Sequence, residues 1–89
     1  MISENDKIRI VELSGKYGVK RTLLFGSAAM PDRESNDIDL GVTGVSDALF
    51  FKFYGELINA LSKPVDLIDL EDGSSFSSMV SRDGIVLYG

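Results

Sequence analysis

Two short stretches constrain this chain more than anything else in it: Leu23-Leu24-Phe25-Gly26-Ser27 and, after nine intervening residues, Asp37-Ile38-Asp39-Leu40. The first is an apolar run ended by a glycine and a serine. Three apolar residues in a row predict a strand buried on both faces, broken at Gly26. The second is an apolar run that carries two carboxylates. Residues two apart on a strand point to the same face, so Asp37 and Asp39 share one face, their Cα atoms about 6.5 Å apart, while Ile38 and Leu40 share the other. Like charges held that close are unfavourable unless a cation sits between them.

The residue inventory narrows the chemistry further. The chain has neither cysteine nor histidine. That removes disulfides, thiolate chemistry, the usual zinc ligand and any Ser-His-Asp triad. Carboxylates, hydroxyls, backbone amides or a bound metal must do the work. Oxygen-only ligands favour Mg2+ or Mn2+ over zinc. The net charge of −5 repels a phosphate backbone, so no direct nucleic-acid binding is expected. No apolar stretch is long enough to span a bilayer, and Met1-Ile2-Ser3-Glu4-Asn5-Asp6 shows no basic region leading into an apolar run. The expected setting is cytoplasmic, without a membrane partner. Eighty-nine residues suit one domain, 1–89, with one modest core. A domain this small often needs a second surface to complete its site, so a homodimer or hetero-oligomer is expected.

Hydrophobic spacing gives the elements. Residues 4–17 predict a helix, capped by Ser3 or Asn5, with Ile10, Leu13 and Tyr17 on its apolar face, Ile8 and Val11 widening it, and Gly18 as its stop. Residues 20–25 predict a strand, and 27–30 a single helical turn before a polar loop over 31–36. Residues 37–42 form the second strand. Residues 47–61 predict a helix, with Phe50, Phe53, Tyr54, Leu57 and Leu61 inward and Lys52, Glu56, Asn59 and Lys63 on the wet side. Periodicity assigns those aromatics to packing rather than to nucleobase stacking. A third strand over 64–70, a short helix over 74–81, a tight turn at Asp83-Gly84 and a last edge strand over 85–88 complete the order α-β-β-α-β-α-β. The fold class is α/β (α+β): a small mixed sheet of three or four strands with helices packed against it.

Asp66 is the candidate third carboxylate. It sits between Val65 and Leu67, where a charge needs a partner. With three acids, two divalent ions could bind, one activating an attacking hydroxyl and one neutralising leaving phosphates. Asp69, three residues on, falls on the opposite face as a strand-end residue. Backbone amides after Gly26 would face an anion, glycine would let a phosphate approach, and the Ser27 hydroxyl adds a donor. A Gly-Ser pair alone is ordinarily just a turn, and a lone Asp-x-Asp ordinarily solvates a strand. Their conjunction, with a third acid following, is what points to a metal-bound nucleotide.

In these residues the chain resembles the minimal nucleotidyltransferases of the polymerase-beta-like superfamily. The resemblance rests on the apolar strand ending in Gly26-Ser27, the nine-residue loop, Asp37-Ile38-Asp39, Asp66 within Pro64-Val65-Asp66-Leu67, and the closing Asp83-Gly84-Ile85-Val86-Leu87-Tyr88. It covers nearly the whole chain. It implies that Gly26 and Ser27 hold the triphosphate of a nucleotide. It implies that Asp37, Asp39 and Asp66 bind Mg2+ or Mn2+, with Asp66 also helping to deprotonate the acceptor. It implies transfer of AMP from ATP to a hydroxyl, with release of pyrophosphate. Members of this kind are commonly antitoxins that silence an all-helical HEPN toxin by adenylylating a tyrosine or by binding it. Many relatives continue after Gly-Ser with Arg-Ala-Arg-Gly; this chain has Ala28-Ala29-Met30-Pro31, with Arg33 the nearest replacement cation in the loop. That departure opens a second expectation, an inactive antitoxin that works by occlusion. A third, a transferase acting on a small molecule such as an aminoglycoside, has little room for a substrate domain. In a small α/β domain of no such function, the three acids would point apart.

Overall fold

Ser3 starts the first helix: its Oγ accepts the Asp6 amide at 3.1 Å, satisfying one of the free N–H groups of the first turn. In the structure, a computed structural model, residues 2–89 are described, and Met1 lies outside them. The elements run α1 (Glu4–Lys16), β1 (Arg21–Phe25), a 3-10 turn (Gly26–Ala29), β2 (Ile38–Thr43), α2 (Asp47–Ala60), β3 (Val65–Asp69), α3 (Ser75–Asp83) and β4 (Ile85–Tyr88). They form the mixed α/β architecture that the hydrophobic spacing predicts. Gly18 follows α1 at φ +65°, where a side chain would be strained, and so stops the helix.

The sheet order is β3-β2-β1-β4. β1 lies antiparallel to both β2 and β4, and β2 lies parallel to β3. β1 is therefore a central strand, as its apolar run predicts, and β4 is an edge. One face of the sheet carries Leu24, Ile38, Leu40, Val42 and Leu67 against α1 and α2, which contribute Ile10, Leu13, Phe53 and Leu57. Between these layers Ser14 and Thr22 share a buried hydroxyl–hydroxyl bond of 2.8 Å. The other face is covered only at one end. There Leu23, Leu70 and Val80 pack with Phe25 and Ile68. Gly41 leaves the space that the Leu70 side chain fills, since a Cβ there would lie 2.7 Å from it. The remainder of that face is open, and the site lies on it.

Several boundaries and roles differ from the sequence reading. β2 begins at Ile38, so Asp37 stands one residue outside the ladder. Asp83 belongs to α3 rather than to a tight turn, because Gly84 caps that helix by donating to the Val80 carbonyl at 2.8 Å. Ile8 does not widen the apolar face of α1; it is exposed, as are Phe76 and Met79 on α3. Lys63 is exposed, as the spacing predicts, and its Nζ also donates to the Ser35 carbonyl at 2.6 Å. Helical spacing finds which face is apolar but not which neighbours exist to cover it. No helix of the described residues is long and apolar enough to cross a membrane.

The Ser14–Thr22 bond generates a stability prediction. Thr22→Val strands a buried hydroxyl and should cost about 1–3 kcal/mol, while Ser14→Ala with Thr22→Val removes both partners and should recover most of that loss. Urea denaturation of the wild type, the single and the double variant measures both effects.

Candidate active site

The antiparallel register of β1 and β2 sets Phe25 directly opposite Asp39. The next residue, Gly26, therefore lies over the Asp39 side chain. Gly26 has φ +70°, and a Cβ at this position would collide with Oδ2 of Asp39. Only glycine meets both demands, the left-handed backbone and the space for a carboxylate. The parallel register of β2 and β3 pairs Asp39 with Asp66 across the ladder, so the two share the open face. Burial raises the Asp39 carboxyl above the usual carboxylate range, and the negative charges of Asp66 and then Asp37 raise it further. Gly26, Asp39 and Asp66 are thus brought to one corner, and the charge of Asp37 reaches it from just outside the strand.

Ser27 is placed by residues that the sequence reading passed over. Its Oγ lies 3.0 Å from Ser35 Oγ. Ser35 is buried in the loop before β2, where its hydroxyl donates to the Asp37 carbonyl and accepts the Asp37 amide at 3.2 Å. Lys63 clamps the same loop through the Ser35 carbonyl. Beside it, the buried Asp6 accepts both the amide and the hydroxyl of Ser62. A cleft of about 200 Å³ lies among Asp6, Ser35, Asp37 and Lys63. Tyr54 donates to the Val65 carbonyl at 3.1 Å, and its hydroxyl stands 3.5 Å from Oδ1 of Asp66. The only sequence signals for these roles are a serine two residues before Asp37 and a lysine one residue before Pro64.

On the other side of Gly26 a groove of about 490 Å³ runs between Phe25, Met30, Phe76 and Met79. That volume lies within the range of about 300–1,000 Å³ common for small-molecule sites. Among the described residues no three acids stand close enough together to form a ready-made cation cage. Asp69 lies away from the corner and accepts the Glu71 amide at 3.0 Å, ending the strand.

The sheet order and the acid-lined glycine turn place the chain in the nucleotidyltransferase class of folds. The family profile described as polymerase beta, nucleotidyltransferase, matches residues 6–89, and the chain belongs to that family. Among curated proteins none matches by sequence. Solved structures do. One is a toxin–antitoxin crystal structure with AMP-PNP, similar at 27% identity and a TM-score of 0.75 over 93% of this chain and 73% of that one. A second, of an MntA–HepT toxin–antitoxin mutant with two aspartates replaced by glutamate, has 26% identity and a TM-score of 0.74 over 93% and 72%. A third, the MntA–HepT toxin–antitoxin, is 24% identical with a TM-score of 0.72 over 98% and 73%, and shows the shared fold.

The position of Asp39 makes the stability of the fold depend on pH. Its folded pKa is raised, so the folded state binds the proton more readily than the unfolded chain. Stability therefore falls as pH rises from the ordinary carboxylate value through the folded value, and the penalty is fully present at neutral pH. Asp39→Asn should raise Tm at pH 7. The gain should shrink as pH falls toward about 4, the ordinary range of an unperturbed carboxylate. Calorimetry of both proteins across that range checks the sign.

Proposed function

We propose that the chain is a Mg2+- or Mn2+-dependent nucleotidyltransferase that moves AMP from ATP to a hydroxyl acceptor, a tyrosine of an all-helical HEPN toxin, and acts in the cytoplasm as that toxin's antitoxin. The observation that carries this reading is the corner where Asp39 lies against Gly26 and faces Asp66. Two similar structures support the partner: both are toxin–antitoxin assemblies, and one holds AMP-PNP. The two aspartates altered in the mutant neighbour are spaced as Asp37 and Asp39 are.

The donor set fits a hard divalent cation. It is all oxygen, and burial together with the charges of Asp66 and Asp37 raises the proton affinity of Asp39, which is the mark of uncompensated negative charge. Mg2+ does not need a three-acid cage, because it keeps waters and takes substrate phosphate oxygens beside one or two carboxylates. Asp37, Asp39 and Asp66 would hold it. When bound, such an ion supplies charge neutralisation at the phosphates and acidifies a hydroxyl. Gly26 lets a phosphate oxygen approach the backbone, and Ser27, whose hydroxyl donates to Ser35, offers its backbone amide at the same turn. Asp66 accepts the proton of the acceptor hydroxyl. The acceptor oxygen then bonds to the α-phosphorus as the bond to the β-phosphate oxygen breaks and pyrophosphate leaves.

One feature favours a second reading, an antitoxin that acts by occlusion. The turn after Gly26 offers no cation: Ala28 is 1% exposed in the core, and Ala29 packs against it.

Labelled ATP, Mg2+ and the HEPN protein from the neighbouring gene test the choice. Labelling of the toxin is expected, with Asp39→Ala reducing it by at least about a hundredfold, as for loss of a positioned catalytic group. Equal labelling by both proteins would sink the catalytic claim. Protection of cells by a folded Asp37→Ala, Asp39→Ala double variant would establish occlusion instead.

A further inference from the structure

α2 is apolar on both sides. Phe53 and Leu57 are buried in the core. On its opposite face Ala48, Phe51, Gly55 and Ile58 follow at steps of three, four and three, which stacks them in one stripe. Phe51 is 77% exposed and Ile58 54%. Phe51 does not fold back over the helix; its ring stands edge-on to Phe50 at 5.3 Å. At Gly55 a Cβ would meet nothing within 4 Å. A helix with apolar residues outward as well as inward is one whose outer face is covered in use.

The order of sizes along the stripe says what covers it. Read toward the C-terminus it alternates small, large, small, large, and an antiparallel copy beside it reads large, small, large, small. We propose that α2 packs antiparallel against α2 of a second copy, across a two-fold axis at the level of Phe53. Phe51 then fills the gap above Gly55 of the second copy, and Ile58 lies on its Ala48. Every large side chain meets a small one, the condition for close helix packing. Charge agrees with the same operator. Lys52 and Glu56 lie on one margin of the stripe, and the axis brings each Lys52 to within about 3 Å of register with Glu56 of the second copy, at ~1.5 Å rise per residue. Glu56, already bonded to Lys16 at 2.9 Å, would then tie three cationic and acidic groups across the seam. Antiparallel α2 helices also oppose their dipoles. α2 covers the sheet face opposite the Gly26–Asp39 corner, so the dimer leaves both corners open.

Sedimentation equilibrium of the whole chain, from low micromolar to near millimolar, tests this. The mass is expected to rise from the 9.7 kDa monomer toward twice that value. Phe51→Ala, which leaves the gap unfilled, and Gly55→Phe, which blocks it, should each weaken association by at least about tenfold, or ~1.4 kcal/mol. The swapped pair, Phe51→Ala with Gly55→Phe, restores a large side chain opposite a small one and should recover association to within about threefold of wild type. Thermal melts guard against misfolding: Gly55→Phe fills open space and removes a helix glycine, so it should not lower Tm. A chain monomeric throughout, a dimer indifferent to these variants, or a swap that fails to rescue overturns the proposal. So does a monomer whose complex with a foreign helical protein is weakened by Phe51→Ala, which assigns the face to that protein.

Discussion

The carboxylate of Asp39 lies against the α-carbon of Gly26, and much of this small domain is arranged to tolerate that contact. The antiparallel ladder puts Phe25 over Asp39, so the chain must turn at once, and the turning residue cannot carry a side chain. Asp39 is partly buried there and faces Asp66, which the parallel ladder fixes beside it. Neither strand can slip to relieve the repulsion. A one-residue slip of β2 would send Ile38, Leu40 and Val42, all fully buried, to the open face. The hydrophobic face of the strand thus pins the acidic face in an unfavourable arrangement. Stability is generated on one side of the sheet and a charge problem is held on the other.

The loop before β2 is held by contacts from distant parts of the chain. Ser35 joins Ser27 at one end of the loop to the Asp37 backbone at the other. Lys63, in the segment between α2 and β3, reaches back to the Ser35 carbonyl, and Asp6 in α1 fixes the neighbouring Ser62. Three elements far apart in sequence therefore decide where the Gly26–Ser27 turn sits. A partly buried charged hydrogen bond of this kind contributes more than a neutral one, which suits a loop with little apolar surface of its own.

This division explains what could be read in advance. Alternation in 38–42 and the apolar run at 23–25 report the core directly, because burial is a property of each residue type. The same patterns place Asp66 beside Asp39 once β2 and β3 are taken as neighbours. Ser35, Lys63 and Tyr54 escaped the reading because their roles come from tertiary proximity: a serine in a polar loop and a lysine after a helix look solvated until the fold brings a carbonyl to them. Ile8 shows the converse error. Helical periodicity marks it as part of an apolar face, and nothing in a single sequence says that no partner element is present to bury it. The start of β2 at Ile38 rather than Asp37 has a local cause, since the Ser35 hydroxyl takes the Asp37 amide that a ladder would otherwise use.

The substitution of Ala28-Ala29-Met30 after the Gly-Ser turn follows the same logic. Ala28 is core, so the turn is fixed by burial and by Ser35, without cationic side chains of its own at those positions. On the proposed reading this changes what holds a triphosphate. Asp39 and Asp66 at the corner and Asp37 beside it repel it, and the turn has only neutral groups to offer against them. Nucleotide and divalent cation would then depend on one another, each removing the charge that opposes the other. Such coupling needs no conformational switch. It follows from the ladder register that sets Asp39 beside Asp66 and from the glycine that lets a phosphate come near them.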